Sequence, residues 1–313
     1  MSRLINHIAD FLIENGFELS FQIRHDFDVI VTRTLDGRHT KVILPLEISA
    51  GTIEEAEAES DNAEYAIRMI RREAGYPLII TEDRWRSQRQ MMEARLLAHL
   101  ELFSQAYARN CEVRRIEKAE AQEFLNRNHS YGDAACKYRY GLFLKRHTGH
   151  IAAEMGFPIG SGMTDEVKNL SEGTLIAVAT FSNARRWVKE GKEIRSYEWT
   201  RYASLPDLRV SGGMGKMLKA FIKEVQPDDI MSYADLEWSE GEVYERLGFE
   251  AETRKEPVTF TIDPQTWERT AIRRSPVKPG MTEGDNVIPD LIGDLFFRNF
   301  GSRKFRLKLT DYK

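Results

Sequence analysis

The sequence has little cysteine, no long apolar run and no excess of positive charge. Only Cys111 and Cys136 occur among 313 residues, which excludes a disulfide framework and disfavours a cysteine-rich metal site. No segment approaches the roughly 20 apolar residues that span a bilayer, and the first residues lack the continuous apolar core of a signal peptide. A net charge of −4 is unlike that of a basic nucleic-acid-binding protein. We therefore expect a cytoplasmic protein without a membrane partner.

The length of the chain favours at least two folded units, because single cores stop growing before 313 residues. In residues 1–82 the patterns follow the order helix, hairpin, helix, strand, which is typical of a small α/β domain. The apolar runs Phe27–Val31 and Val42–Ile48 flank an Asp36-Gly37 turn, the usual signal of a β-hairpin. An Ala- and Glu-rich helix is predicted from Thr52 to Glu73.

A connecting segment, residues 83–110, is predicted to contain one long amphipathic helix from Asp83 to Ala106. In residues 111–273 strands and helices alternate around a Gly-rich insertion, His147–Gly173, which is predicted to be a mobile loop. Residues 274–313 are expected to form a linker and a C-terminal aromatic and basic segment. The predicted fold class is mixed α/β of the α+β type, with a mixed sheet flanked by helices behind the small front domain.

The strongest local signal is a Gly-rich segment between a predicted strand and a predicted helix. Such a turn directs backbone N–H groups, together with the positive end of the helix dipole, at a phosphate. A plain tight connection is the alternative. The residues predicted to hold a phosphate-bearing donor are Arg209, Val210, Ser211, Gly212, Gly213, Met214, Gly215 and Lys216.

This segment and the one after it resemble the GNAT superfamily of acyltransferases. There a donor-binding turn, Q/R-x-x-G-x-G/A, is followed by a strand and by a helix that ends in Y-x-x-x-G-F. Tyr244, Gly248 and Phe249 fit the second pattern. The first pattern fits in either of two registers and in neither fully: from Arg209, Met214 replaces the last small residue, and from Val210, both Gly213 and Gly215 fit but the Arg or Gln is missing. The resemblance implies that acetyl-CoA or another acyl-CoA is the donor, and that Tyr244 lies near the donor sulfur, where a phenol can protonate a thiolate. Apolar packing of Tyr244 is the alternative.

Acyl transfer also needs a general base close to the acceptor. Glu198 on a central strand and Asp235 at the end of the next strand are the candidates, and a structural pair of Glu198 with Arg201 is the alternative for the first. Glu198, Asp235 and Tyr244 are predicted to border one accessible groove, with at least one carboxylate pKa raised by partial burial. If Glu198 faces the opposite side of the sheet from Tyr244, its role as base fails, and the case for catalysis either falls back on Asp235 or disappears.

A narrower resemblance extends from about Tyr76 to the C-terminus. It points to phage and mobile-element proteins that join a nuclease-like front half to a GNAT-like back half. Its segments include Ile80–Trp85, Tyr107–Val113, Phe124–His129, Ser232–Asp235 and Arg298–Phe305.

Nucleases of this kind hold Mg²⁺ with acidic residues and usually carry a lysine beside the second carboxylate. Asp28 and Glu47 occupy the expected strands, with Asp26 as a possible addition. The motif continues Glu47-Ile48-Ser49, so the lysine is absent. The front domain is therefore expected to be degenerate and not to cleave DNA, and no metal site is predicted.

His129 lies in a polar turn, Asn128 to Gly132, unlike a histidine packed in a core. The Mom family of phage DNA-modification proteins, also GNAT-like, is similar in pairing a His-Tyr segment with a later Asp and a Gly-x-x-Tyr. Here these are His129, Tyr131, Asp235 and the segment Gly241–Tyr244. The resemblance implies a catalytic role for His129 and a base in DNA as one acceptor, whereas capping or hydrogen bonding is the alternative for this histidine.

Two functional hypotheses follow. The first is acyl-CoA-dependent N-acyl transfer by a phage or mobile-element protein to an unknown acceptor, with a nucleic-acid base as one candidate. The second is a DNA-binding or endonuclease-like protein of a mobile element that transfers no acyl group. Likeness at the level of the fold does not choose between them.

Overall fold

The computed structural model describes residues 3–146, 170–189, 191–272 and 295–311. Most of the predicted loop His147–Gly173 and the predicted linker after residue 273 lie outside these ranges. The described helices are α1 (Arg3–Glu14), α2 (Ile53–Ala74), α3 (Glu82–Ser87), α4 (Arg89–His99), α5 (Lys118–Asn128), α6 (Gly213–Val225) and α7 (Glu242–Arg246).

The described strands form several sheets that the helices flank, which confirms the expected α+β class. The strands of the front half are β1 (Leu19–Arg24), β2 (Phe27–Arg33), β3 (Thr40–Leu46), β4 (Leu78–Thr81) and β5 (Ser104–Tyr107). Those of the middle are β6 (Cys111–Arg115), β7 (Tyr138–Leu144), β8 (Leu175–Phe181), β9 (Arg185–Lys189), β10 (Lys192–Ser204), β11 (Leu208–Ser211) and β12 (Asp229–Asp235). The last are β13 (Glu250–Lys255), β14 (Thr259–Ile262), β15 (Arg269–Ala271), β16 (Leu295–Arg298) and β17 (Ser302–Lys308).

The front part is a four-stranded sheet in the order β1-β2-β3-β4, with helices packed against it. Strands β2 and β3 form the hairpin predicted around Asp36-Gly37. Helix α2 begins where Thr52 caps it, since the Thr52 side chain accepts a hydrogen bond from the Glu55 N–H at 3.1 Å. The hairpin and the helix after Thr52 were therefore predicted correctly, whereas strand β1 was not predicted.

The helix predicted from Asp83 to Ala106 is wrong in its extent. It breaks at Gln88, whose backbone (φ −128°, ψ 40°) is not helical, and its second half ends at His99. Glu101 then adopts a left-handed conformation (φ 69°). The chain continues as strand β5, which pairs in parallel with β11. Pairing with a strand a hundred residues away overrides local helix propensity here.

The main sheet has, within the described residues, eight strands in the order β13-β17-β12-β10-β8-β7-β6, with β9 paired to β10. Strand β17 comes from the C-terminal aromatic and basic segment and lies between β12 and β13. Helix α6 packs on one face, where the Phe221 ring stacks on Phe181 at 3.9 Å between centroids. The loop after α5 lies on the other face, where Arg201 Nε donates to the Gly132 carbonyl at 3.0 Å.

Two parallel strands of this sheet separate at its centre. Strands β10 and β12 pair only over residues 196–198 and 229–231, and no further pairs follow toward their C-terminal ends. Strand β10 also has a bulge between Trp199 and Arg201 in its pairing with β8. A bulge bends the strand that carries it. The bend therefore contributes to opening a gap between β10 and β12.

Among the described residues, no helix combines the length and the apolar character needed to cross a bilayer.

Two glycines have nearly the same positive φ but differ in the space around them. Comparing alanine variants of the two tests how closely the chain packs beside the main sheet. Gly301, at φ +72°, begins the turn into β17, and a Cβ there would overlap the Lys255 carbonyl oxygen. Gly37, at φ +71°, has open space at the Cβ position. We expect Gly37→Ala to cost ~1–2 kcal/mol, the cost of a left-handed backbone. Gly301→Ala should cost ~1–3 kcal/mol more, because of the backbone overlap.

Chemical denaturation of both variants measures the difference, because the backbone strain is common to the two. Equal losses of unfolding free energy would contradict the close approach of Gly301 to residue 255.

Candidate functional site

A cavity of about 1260 Å³ lies where β10 and β12 separate. Its lining includes residues from both faces of the main sheet. From the face covered by α6 and α7 come Met214, Val243, Tyr244 and Leu247. From the other side come His129, Tyr131, Glu198, Tyr233 and Asp235. The cavity therefore reaches both sides of the sheet at the gap between the two strands.

The Gly-rich segment forms the predicted strand, turn and helix, and it lines this cavity. Gly212 precedes α6 in a left-handed conformation (φ 77°) that favours glycine. The first intrahelical hydrogen bond runs from the Lys216 N–H to the Gly212 carbonyl. The N–H groups of Gly213, Met214 and Gly215 belong to the first turn, where an α-helix offers them no acceptor. These amides are able to bind an anion.

The two cations of the segment differ in how they are held. The Lys216 ammonium donates to the carbonyl oxygens of Ala108, at 2.8 Å, and Cys111. Arg209 is exposed, and its guanidinium lies over the Phe103 ring at 5.2 Å. The backbone N–H groups, the helix dipole and Arg209 therefore remain to bind an anion at this turn.

Tyr244 lies on the α7 side of the cavity. Its hydroxyl is 2.9 Å from Ser232 Oγ, and its ring stacks on Phe305. Burial raises the pKa of Tyr244. The phenol is therefore protonated at neutral pH and can act as a proton donor. The ring of Tyr244 packs against apolar residues, as the alternative interpretation expected. Because Tyr244 also lines the cavity, its role as an acid stays a prediction.

Glu198 lies on the opposite face of the sheet from Tyr244. It is paired in register with Met231, whose sulfur contacts the Tyr233 hydroxyl, so these three side chains share one face. Ser232, which contacts Tyr244, points to the other face because side chains alternate along a strand. Glu198 is half-buried and borders the cavity. The role of Glu198 as base in a groove shared with Tyr244 therefore fails. Asp235 follows Tyr233 by two residues along β12 and lies on the same face as Glu198, so it remains the candidate only for an acceptor that approaches from that face.

Asp235 ends β12 and is held by three hydrogen bonds. Its Oδ1 accepts from the Glu237 N–H at 2.9 Å. Its Oδ2 accepts from the Tyr131 hydroxyl at 3.0 Å and from Arg84 Nη2 at 3.3 Å. Burial, and next the charge of Glu237, raise the pKa of Asp235 above its usual value, although Arg84 opposes this. The predicted groove with a raised carboxylate pKa is confirmed, since Glu198, Asp235 and Tyr244 all line the cavity.

Behind Asp235 lies a buried ion network centred on Glu237, whose side chain is 2% exposed. Arg84 Nε donates to Glu237 at 3.0 Å, and Arg269 Nη1 donates to it at 2.7 Å. Arg269 also pairs with Asp83, which is fully buried. These cations lower the pKa of Glu237 to about 2 in spite of its burial. Three separate stretches of the chain, around residues 83, 237 and 269, meet in this network.

His129 follows α5 and borders the cavity. Its Nδ1 accepts a hydrogen bond from the Tyr131 N–H at 3.1 Å. Burial lowers the pKa of His129 to about 3, so the ring is neutral at physiological pH. The hydrogen bond matches the alternative, hydrogen-bonding role of His129. Because His129 also borders the cavity, its catalytic role stays a prediction.

Sequence reasoning missed Arg84, Glu237 and Arg269 as parts of the site. Arg84 and Glu237 are each next to a tryptophan in the sequence. A charged residue next to a tryptophan was the sequence signal that could have pointed to them. Tyr131 was noted in the motif, but its hydrogen bond to Asp235 was not foreseen. Their convergence depends on contacts between residues more than 100 positions apart.

The candidate nuclease residues Asp28 and Glu47 are exposed at one end of the front sheet. Glu47 Oε1 accepts a hydrogen bond from the Leu4 N–H at 3.3 Å. Within the described ranges, no group of three or more His, Cys, Asp or Glu side chains is placed to hold a metal ion.

Comparisons with known proteins give little. No family model matches the sequence. No curated protein matches it significantly. Among solved structures, a chain described as "The crystal structure of KacTA-DNA complex" is similar at 16% identity and a TM-score of 0.25. The match covers 46% of this chain and 86% of that one. A likeness this weak supports no conclusion about function.

Replacing Glu237 should destabilise the protein in a pH-dependent way. We expect Glu237→Gln to cost ~3–5 kcal/mol at pH 7, because it leaves buried guanidinium groups without their partner. The folded-state pKa of Glu237 is about 2 against an ordinary 4.5. Its ionisation therefore stabilises the fold fully above pH 4.5, and this contribution is lost as the pH falls toward 2.

Urea denaturation across this pH range measures the effect. Glu193→Gln, which removes an exposed pair with Arg186, is the matched control and should cost ~0–1 kcal/mol. A Glu237 variant that behaves like this control, or a loss that does not change with pH, would show that the network is not a stabilising unit.

Proposed function

We propose that the protein is an acyl-CoA-dependent N-acyltransferase of the GNAT type and of phage or mobile-element kind. The observation that carries the proposal is the separation of β10 from β12 next to a Gly-rich helix N-terminus. An acyl-CoA has a diphosphate, which the N–H groups of such a turn can bind, and a long thin chain that ends in the thioester, which can fit into a gap between strands. The acceptor is an amine, and a base in DNA is one candidate.

The donor is proposed to bind with its diphosphate at the N–H groups of Gly213, Met214 and Gly215. Binding there depends on backbone groups and on the exposed Arg209, since the Lys216 side chain is hydrogen-bonded to backbone carbonyls. The acyl thioester then lies in the gap, where α7 places Tyr244 on one side. The acceptor approaches from the opposite face, past Tyr131 and Asp235.

The proposed reaction is direct transfer. The acceptor nitrogen attacks the thioester carbonyl carbon, and Asp235 takes the proton that this nitrogen loses as the carbon–nitrogen bond forms. The tetrahedral intermediate collapses with cleavage of the carbon–sulfur bond, and Tyr244 protonates the departing thiolate. The raised pKa of Asp235 brings its basicity closer to that useful at neutral pH. Arg84 and Tyr131 hold the carboxylate in one orientation.

A second candidate is a DNA-binding protein that transfers no acyl group. The engagement of Lys216 by backbone carbonyls favours it, because a lysine beside a phosphate-binding turn otherwise contacts the phosphates. Failure to bind coenzyme A would select this candidate.

Donor binding can be tested at Gly215 with a matched pair of variants. A Cβ at this position would lie 3.3 Å from the end of the Leu247 side chain, which is flexible, so small residues can be accommodated. Gly215→Ala should bind coenzyme A within a few-fold of wild type. Gly215→Asp should weaken binding at least tenfold, because its carboxylate competes for the same amides, although an acidic residue there favours the helix itself.

Isothermal titration calorimetry with coenzyme A decides the matter. If wild type shows no binding at millimolar concentration, or if the two variants bind equally well, the donor assignment is wrong.

The roles of the two carboxylates can be separated by activity. With acetyl-CoA and an amine substrate found by mass spectrometry, Asp235→Asn should lower kcat about 100-fold or more, the scale of general-base catalysis. Glu198→Gln should have a much smaller effect. Both variants should bind coenzyme A as wild type does, which controls for folding.

The expected ranking rests on the raised pKa of Asp235. Wild-type kcat/KM should therefore fall on the acid side with a midpoint above the ordinary value of 3.8, as Asp235 becomes protonated. Loss of activity in the Glu198 variant alone would assign the base to Glu198 and overturn this mechanism.

A further inference from the structure

A two-stranded ribbon continues the main sheet beyond the part of β10 that pairs with β8. It consists of residues 185–189 of β9 and 192–196 of β10, which pair antiparallel, and we call it the basic ribbon. Among its described residues Glu193 is the acidic one. Its cations are Arg185, Arg186, Lys189, Lys192 and Arg195. This local excess of positive charge contrasts with the net charge of −4 of the whole chain.

The two faces of the basic ribbon differ in how their cations are neutralised. On one face Arg186 pairs with Glu193 at 2.8 Å, and Arg195 pairs with Asp228 at 3.6 Å. The alternation of side chains puts Arg185, Lys189 and Lys192 on the other face. These three are exposed, and within the described residues no carboxylate forms an ion pair with them.

One pair on this second face carries an energetic cost. Lys189 and Lys192 are direct cross-strand partners. Like charges directly opposite each other destabilise a sheet. Arg186 and Arg195 are also opposite each other, but each has an acidic partner. The face with Lys189 and Lys192 is therefore the one that gains from a bound anion.

The same face leads to the acceptor side of the cavity. Along β10 this face includes Ile194 and Ser196, which are buried, and then Glu198, which borders the cavity. Residues two apart on one face of a strand are about 6.7 Å from each other. Lys192 therefore lies about 20 Å along β10 from Glu198, on the same side of the sheet as the acceptor side of the cavity.

We infer that the face of the basic ribbon with Arg185, Lys189 and Lys192, its unpaired face, binds the phosphate backbone of duplex nucleic acid. Cations spread over two strands match a polymer with repeated charges better than one small anion. A two-stranded ribbon also has the dimensions of a major groove. A lipid surface fits less well, because Val188, 70% exposed, points to the face opposite the three cations. The binding of duplex nucleic acid to this face does not depend on the proposed acyl transfer. Only its role in bringing an acceptor base to the cavity rests on that proposed function.

The test is fluorescence anisotropy with a labelled duplex of about two helical turns at several salt concentrations. Charge reversal of the unpaired face, Arg185→Glu with Lys189→Glu and Lys192→Glu, should weaken binding at least tenfold. The dependence of log K on log salt should become shallower by about 0.9 for each phosphate that the variant no longer neutralises. The control reverses three exposed lysines elsewhere, Lys118, Lys219 and Lys223, with the same change of net charge.

A milder variant, Lys189→Gln with Lys192→Gln, guards against misfolding and should weaken binding in the same direction. Coenzyme A affinity, measured on the same proteins, should not change. Equal weakening by the ribbon and control reversals, no duplex binding by wild type, or stronger binding to phosphatidylserine vesicles than to duplex would each overturn the inference. Since coenzyme A binding is measured separately, failure of the surface is distinguishable from failure of the acyltransferase proposal.

Discussion

The ion network around Glu237 is the interaction on which the rest of the structure depends. Glu237 is almost fully buried, and it is stable there as an anion because two guanidinium groups contact it. Arg84 comes from α3, Glu237 from the segment after β12, and Arg269 from β15. A buried charge without its partner costs several kcal/mol. These stretches must therefore be in place together, and the network joins the front part of the chain to the main sheet.

The network also sets the geometry of the candidate site. Arg84 contacts Asp235 and Tyr131 as well as Glu237, so the ions that join the two parts of the chain also orient the carboxylate at the cavity. Asp235 has a raised pKa while its neighbour Glu237 has a lowered one. The pKa values of two nearby carboxylates move apart in this way when one of the carboxylates is close to most of the positive charge. The structure thus provides one carboxylate for stability and another with a pKa shifted toward neutrality.

The fold could be predicted where short-range signals decide it. The hairpin around Asp36-Gly37, the start of α2 after Thr52 and the Gly-rich turn before α6 depend on residues within a few positions of each other. The helix predicted from Asp83 to Ala106 was wrong because β5 gains its hydrogen bonds from β11, far along the chain. The placement of β17 between β12 and β13 was missed for the same reason: no local pattern states which strands a C-terminal segment will join.

By itself, the sequence determined the fold class, most of the strands and helices, and the residue types available for chemistry. Turn geometry, capping and apolar periodicity act over a few residues, so they are written in the local order of the chain. Only the tertiary structure decided that Glu198 and Tyr244 lie on opposite faces, that β10 and β12 separate, and that Arg84 meets Asp235. These relations arise from strand register and from the pairing of buried charges across more than 100 residues, and local sequence carries no record of either.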